Sequence, residues 1–81
     1  MKFAAEIRTR GRGIPRVIHS VEEALDLIDV RLAPDLSKLP RWTFARALLL
    51  EALRTGKSRD LSTAIRQLRE ALRAEHWLVD V

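Results

Sequence analysis

Residues 77–81, Trp77-Leu78-Val79-Asp80-Val81 (WLVDV), close the chain with alternation, Trp77, Val79 and Val81 sharing one parity. Period two marks a strand and period 3.6 a helix. The chain also opens on alternation, with Phe3, Ala5 and Ile7 on one parity and Glu6 and Arg8 on the other, so residues 2–9 predict a half-buried strand. Three stretches of helical spacing lie between the two ends. An isolated hairpin is marginal in water and a third strand makes a sheet viable. The tail is therefore expected beside the first strand. The predicted fold is α+β: a three-stranded antiparallel sheet of order 2-1-3, with three helices on one face, in the order ββαααβ.

Working inward, Gly11 and Gly13 permit positive φ and fit a hairpin loop. Pro15 cannot donate to a ladder and stands before the second strand, residues 16–19. Ser20-Val21-Glu22-Glu23 has capping-box spacing, Ser20 accepting from the Glu23 amide and the Glu23 carboxylate reaching back to the Ser20 amide. Val21, Ala24, Leu25, Ile28 and Leu32 continue as a helical stripe that Pro34 ends, and a loop is expected from Ala33 to Pro40. The second helix is predicted from Pro40 or Arg41 to Thr55, with Gly56 as its left-handed terminator. Its apolar residues run nearly all round (Trp42, Phe44, Ala45, Leu48, Leu49, Leu50, Ala52, Leu53), the mark of a helix covered on several sides or turned to a partner. Ser58 and Asp60 suit the start of a third helix with Leu61, Ala64, Ile65, Leu68 and Leu72 on one face and Arg59, Arg66, Arg69 and Arg73 on the other. With the hairpin's outer face left open, Ala4 and Leu78 are expected on it.

Eighty-one residues make one domain, 1–81, and an apolar share of 47% is enough to build its core. The absence of cysteine excludes disulfides and thiolate metal sites, and with no secretory apolar stretch at the N-terminus it leads to a cytoplasmic expectation. No run reaches the roughly eighteen apolar residues of a membrane span. The net charge is +4, and twelve of the fifteen basic residues are arginine. Charge is uneven: residues 1–20 carry +4, 21–40 carry −3 and 41–81 carry +3. Such a field can steer an acidic partner, although arginine excess also arises from genome composition alone.

Chemistry finds little support. His19 and His76 stand outside any HxxxH or HExxH spacing, so no metal site is expected. Ser20 and Ser58 read as caps, Ser37 as a loop residue and Ser62 as first-turn helix, with no GxSxG elbow for a nucleophile. Glu22, Glu23, Asp26 and Asp29 form an acidic run in which Glu22, Asp26 and Asp29 share a face at a spacing able to hold a cation, but it reads as a solvated helix surface, because divalent sites gather ligands from loops or several elements. Arg10-Gly11-Arg12-Gly13 lacks the phosphate-loop pattern and precedes a strand. No catalytic residue, cofactor or small-molecule substrate is assigned, and the chain is read as non-enzymatic. The expectation is a protein-interaction or self-associating module, its partner an unidentified protein or a second copy in a homodimer. The alternative is weak nucleic-acid binding by Arg8, Arg10, Arg12 and Arg16 on the hairpin with Arg66, Arg69 and Arg73 on the third helix. Against it, Glu70 can pair with Arg66 and Arg73, and base-reading residues are missing from that helix.

Val17 to Leu25, VIHSVEEAL, resembles the V-x-S-V-E-E-A start of the first helix in a small bacterial family, domain of unknown function 982. Ala52-Leu53 before Gly56 is similar to that family's A-L-x-G helix end, and Leu78-Val79-Asp80 to its closing strand. Leu49 departs from the expected small residue or cysteine, and Arg54-Thr55 lengthens the approach to Gly56 by one residue. The resemblance implies a single α+β domain of bacterial cytoplasmic origin. It brings no activity, substrate or site residue.

Overall fold

Ser20 starts the first helix as its spacing requires: it stays extended (φ −150°, ψ 164°) while its hydroxyl accepts from the Glu23 amide at 3.1 Å. The second half of the box differs. The Glu23 carboxylate takes the Ser20 hydroxyl at 3.2 Å and the His19 ring at 3.4 Å. The computed structural model describes residues 1–79, and in it β1 (Lys2–Arg8) pairs antiparallel with β2 (Val17–Ser20), which runs straight into α1 (Val21–Asp26). The chain then widens into a π segment (Leu27–Arg31), turns at Leu32, and forms α2 (Pro34–Ser37), α3 (Pro40–Thr55) and α4 (Ser58–Ala74).

The core holds Phe3, Ile7 and Ile18 from the hairpin, Val21, Ala24, Leu27 and Ile28 beneath them, and Trp42, Ala45, Leu49, Ala52, Ala64, Leu68, Ala71 and Leu72 from α3 and α4. Among the described residues nine large side chains are fully buried, Trp42 the biggest. At about 1.5–3 kcal/mol per buried aliphatic or aromatic side chain, this is the main favourable term. Gly11 is needed where it stands. At φ 155° a Cβ there would come within 2.9 Å of Ile14 and 3.0 Å of Trp77, so the hairpin loop lies directly on that indole.

Several expectations are corrected. Among the described residues the sheet has two strands, so the three-stranded 2-1-3 sheet and the ββαααβ order do not hold, although the α+β class does. Among the described residues the tail meets the end of β1 in a single bridge between Thr9 and Leu78, with Arg10 N–H donating to the Trp77 carbonyl (2.7 Å) and Val79 N–H to the Arg8 carbonyl (3.0 Å). The reason is length: α4 runs to Ala74 and a turn uses Glu75 and His76, so three described residues remain to pair. Residues 80–81 of the expected strand lie outside the described residues. Leu78 is buried rather than on an open face. Ala5, expected inward with Phe3 and Ile7, is exposed, because the register shifts between Lys2 and Ile7 and the irregularity rotates the strand. Among the described residues the α-helices number four rather than three, with the π segment besides. α2 occupies the expected loop, Pro34 serving as its first residue since its missing N–H needs no partner there. Ser58 is the first residue of α4 and not its cap, Lys57 preceding it without a side-chain bond.

Candidate functional site

Two surfaces emerge. The first is the outer face of α3, whose inner face (Trp42, Ala45, Leu49, Ala52) is buried against α4 and α1. Phe44, Ala47, Leu50 and Leu53 follow one another at intervals of three, so each neighbours the next along an oblique stripe. Phe44 is 55% exposed, Leu50 41% and Leu53 38%. Beside the stripe, Arg46 donates to Asp29 at 2.7 Å, tying the π segment to this flank, and Val30, the residue after Asp29, is 72% exposed. The bond and charge of Asp29 raise the Arg46 pKa above its ordinary value. Farther along, Arg54 pairs with Glu51 on the same helix, and its hydrogen bond holds the Glu51 carboxyl below its usual range. These charges answer one another within the chain, Glu51 and Arg54 sharing the outer face with the stripe.

The second surface collects the arginines. Arg8 and Arg16 border one shallow depression with Glu6, Thr9, Val17 and Val79, Arg8 lying 3.5 Å from Glu6. Arg10 and Arg73, sixty-three positions apart, border another of about 250 Å³ with His76, Leu78 and Val79. Arg12 is exposed on the hairpin loop, Arg66 is exposed on α4, Arg69 is half-buried, and Glu70 takes Arg73 at 2.5 Å. The structure thus joins the hairpin and α4 groups at one point, Arg10 with Arg73. Apart from that point, no depression described above is shared between the two groups.

The acidic run on α1 is spent on neighbours. Glu22 receives the N-terminal ammonium at 2.7 Å, and that hydrogen bond lowers its pKa. Desolvation pushes the Glu23 carboxyl up, but bonds from His19 and Ser20 outweigh it and the net shift is down. Asp26 lies 3.4 Å from Arg31. His19 is placed between Glu6 (3.2 Å) and Glu23 (3.4 Å), and His76 borders a different depression. Among the described residues no three His, Cys, Asp or Glu side chains gather as a metal site, and no helix is long and apolar enough to cross a membrane.

Sequence reasoning missed two groups. Glu75 accepts from Arg41 (Nη2, 2.9 Å; Nε, 3.2 Å) and from the indole N–H of Trp42 (3.0 Å), clasping the start of α3 to the end of α4. Burial pushes its carboxyl up, but these bonds and the Arg41 charge prevail, and its pKa lies below the ordinary value. His76 is the second: at φ 62° it is the one non-glycine described with positive φ. Its neighbours in sequence carry no signal for this, since left-handed helix ends are ordinarily announced by glycine or asparagine. The chain matches no family model, no curated protein and no solved structure.

Proposed function

We propose that this chain is a non-catalytic protein-interaction module that self-associates through the outer face of α3. One observation supports the reading: Phe44, Leu50 and Leu53 on α3, and Val30 on the π segment, are large apolar side chains left exposed on a chain that is 32% charged. Large apolar side chains exposed together on one helix are the mark of an association surface, and symmetric dimers are the commonest outcome. The setting proposed is cytoplasmic, which the lack of cysteine supports. Membership of the domain of unknown function 982 family belongs to the same proposal; it rests on VIHSVEEAL and adds no activity. Sedimentation velocity across a concentration series tests the reading. The wild type is expected to shift toward a dimer as concentration rises and Phe44→Glu to stay monomeric. A wild type that sediments as a monomer throughout overturns self-association.

A second reading, nucleic-acid binding, is favoured by the placement of Arg10 and Arg73 on one depression. Binding of this kind falls steeply with salt, whereas apolar association does not. A gel-retardation series at rising salt separates the two.

A further inference from the structure

α3 and α4 both end on a left-handed residue, of different kinds. α3 stops at Gly56, φ 68°, and α4 at His76, φ 62°. After α4 the His76 amide donates to the Arg73 carbonyl (3.0 Å) and the Trp77 amide to the Leu72 carbonyl (2.9 Å), a complete Schellman cap. Nothing in that cap uses the imidazole. A glycine would make the same bonds without the steric cost that a Cβ incurs in the left-handed region. Strain kept at a single residue is a pointer to function when the surroundings offer a use for its side chain.

The surroundings offer one. His76 borders the depression of about 250 Å³ with Arg10 and Arg73. Arg10 is fixed from two sides, its amide donating to the Trp77 carbonyl (2.7 Å) and its Nε to the His76 carbonyl (3.3 Å), which leaves the two Nη groups to bond elsewhere. The cap also matters electrostatically: the carbonyls of Ala71, Leu72 and Arg73 at the negative end of α4 all accept bonds from Glu75, His76 and Trp77, so they do not face the depression as bare acceptors. Two arginines and a histidine border one concavity, and guanidinium and imidazole N–H donors are the groups that match the oxygens of a tetrahedral phosphate.

We propose that Arg10, Arg73 and His76 form a phosphate-binding site, taking either a small phosphate ligand or one phosphate of a nucleic-acid backbone. Glu70, which holds Arg73 at 2.5 Å, competes with the ligand for that guanidinium. The site shares no residue with the α3 stripe and is independent of self-association; its polymeric form rests on the second reading above.

Inorganic phosphate titrated into the labelled full chain, read by NMR at the Arg10 and Arg73 Nε–H and the His76 ring, tests it. The wild type is expected to show saturable shifts at all three. His76→Gly is expected to bind about tenfold more weakly, the loss of one charge-assisted bond, while melting at a higher temperature. Glu70→Gln is expected to bind more tightly. The proposal is overturned by the absence of saturable shifts, by His76→Gly binding as well as the wild type, or by His76→Gly melting lower, which would make the ring structural. A twelve-residue oligothymidylate that displaces phosphate identifies a polymer as the source. With no displacement, the site stands for a small ligand and the nucleic-acid reading falls alone.

Discussion

α3 and α4 are the two long helices, packed on each other, and they treat their outward faces in opposite ways. α4 buries Ala64, Leu68, Ala71 and Leu72 and turns Arg59, Arg66 and Arg73 to solvent. α3 buries Trp42, Ala45, Leu49 and Ala52 and still shows Phe44, Leu50 and Leu53. An amphipathic helix satisfies itself once one face is covered. A helix apolar on more than one side does not, and among the described residues no further element covers the outer side of α3. The contrast separates residues that hold the domain together from residues with no work to do inside it. Substitutions along the seam and along the outer faces therefore have effects of very different size.

The largest effect is expected where the tail closes the seam between the two helices. Trp77 lies with its ring centroid 6.1 Å from that of Trp42, under the hairpin loop at Gly11, and Leu78 behind it is buried. Deleting residues 77–81 removes that aromatic contact and both backbone bonds to Arg8 and Arg10. Large core truncations cost about 3–5 kcal/mol, against a total of roughly 0.05–0.15 kcal/mol per residue for a domain. The truncated chain is expected to lose its cooperative thermal transition by circular dichroism. An unchanged midpoint would show that α3 and α4 hold without the tail.

Next comes the clasp. Glu75→Ala leaves the buried Trp42 indole N–H and the Arg41 guanidinium without their acceptor, at about 1–3 kcal/mol. The sign of its pH dependence follows from the lowered pKa. A carboxylate whose folded value is depressed below the ordinary 4.5 contributes stability that is fully present above that value. The contribution is lost as pH falls through the depressed folded value. Thermal midpoints of the wild type are expected to fall over that acid window, and those of Glu75→Gln to fall less. Parallel slopes would remove Glu75 from the account.

A third substitution compares the two helix ends. Gly56→Ala forces a Cβ into φ 68°, with no neighbour within 4 Å to clash, so the cost is purely conformational, about 1–2 kcal/mol. Denaturant midpoints are the measure, and a loss well below this would mean that the α3 end relaxes out of the left-handed region. Gly56 was legible in the sequence, as were the Ser20 cap and the bounds of α3, because each depends on residues within a turn of each other. The π segment was not, since Leu27, Ile28 and Leu32 satisfy an α-helical stripe just as well. The tail was misread because alternation shows that a segment is extended but not how much partner backbone it finds. Of the candidate sites, each arginine group was legible on its own element. The meeting of Arg10 with Arg73, and the left-handed His76 between them, depends on contacts across more than sixty residues.

The smallest effect on stability, and the sharpest on the comparison, is expected on the outer face of α3. Phe44 is more than half exposed and makes no part of the core cluster, so Phe44→Glu should shift the unfolding free energy of the monomer by no more than about 0.5 kcal/mol. A core role for the stripe predicts instead a loss of several times that size at low protein concentration. The same substitution measured at high concentration reads association as well, because a dimer that binds only the folded state raises the midpoint with concentration. Wild-type midpoints that climb with concentration while those of Phe44→Glu stay flat would assign the stripe to a second copy. Flat midpoints for both leave α3 carrying exposed apolar area that neither the fold nor self-association uses.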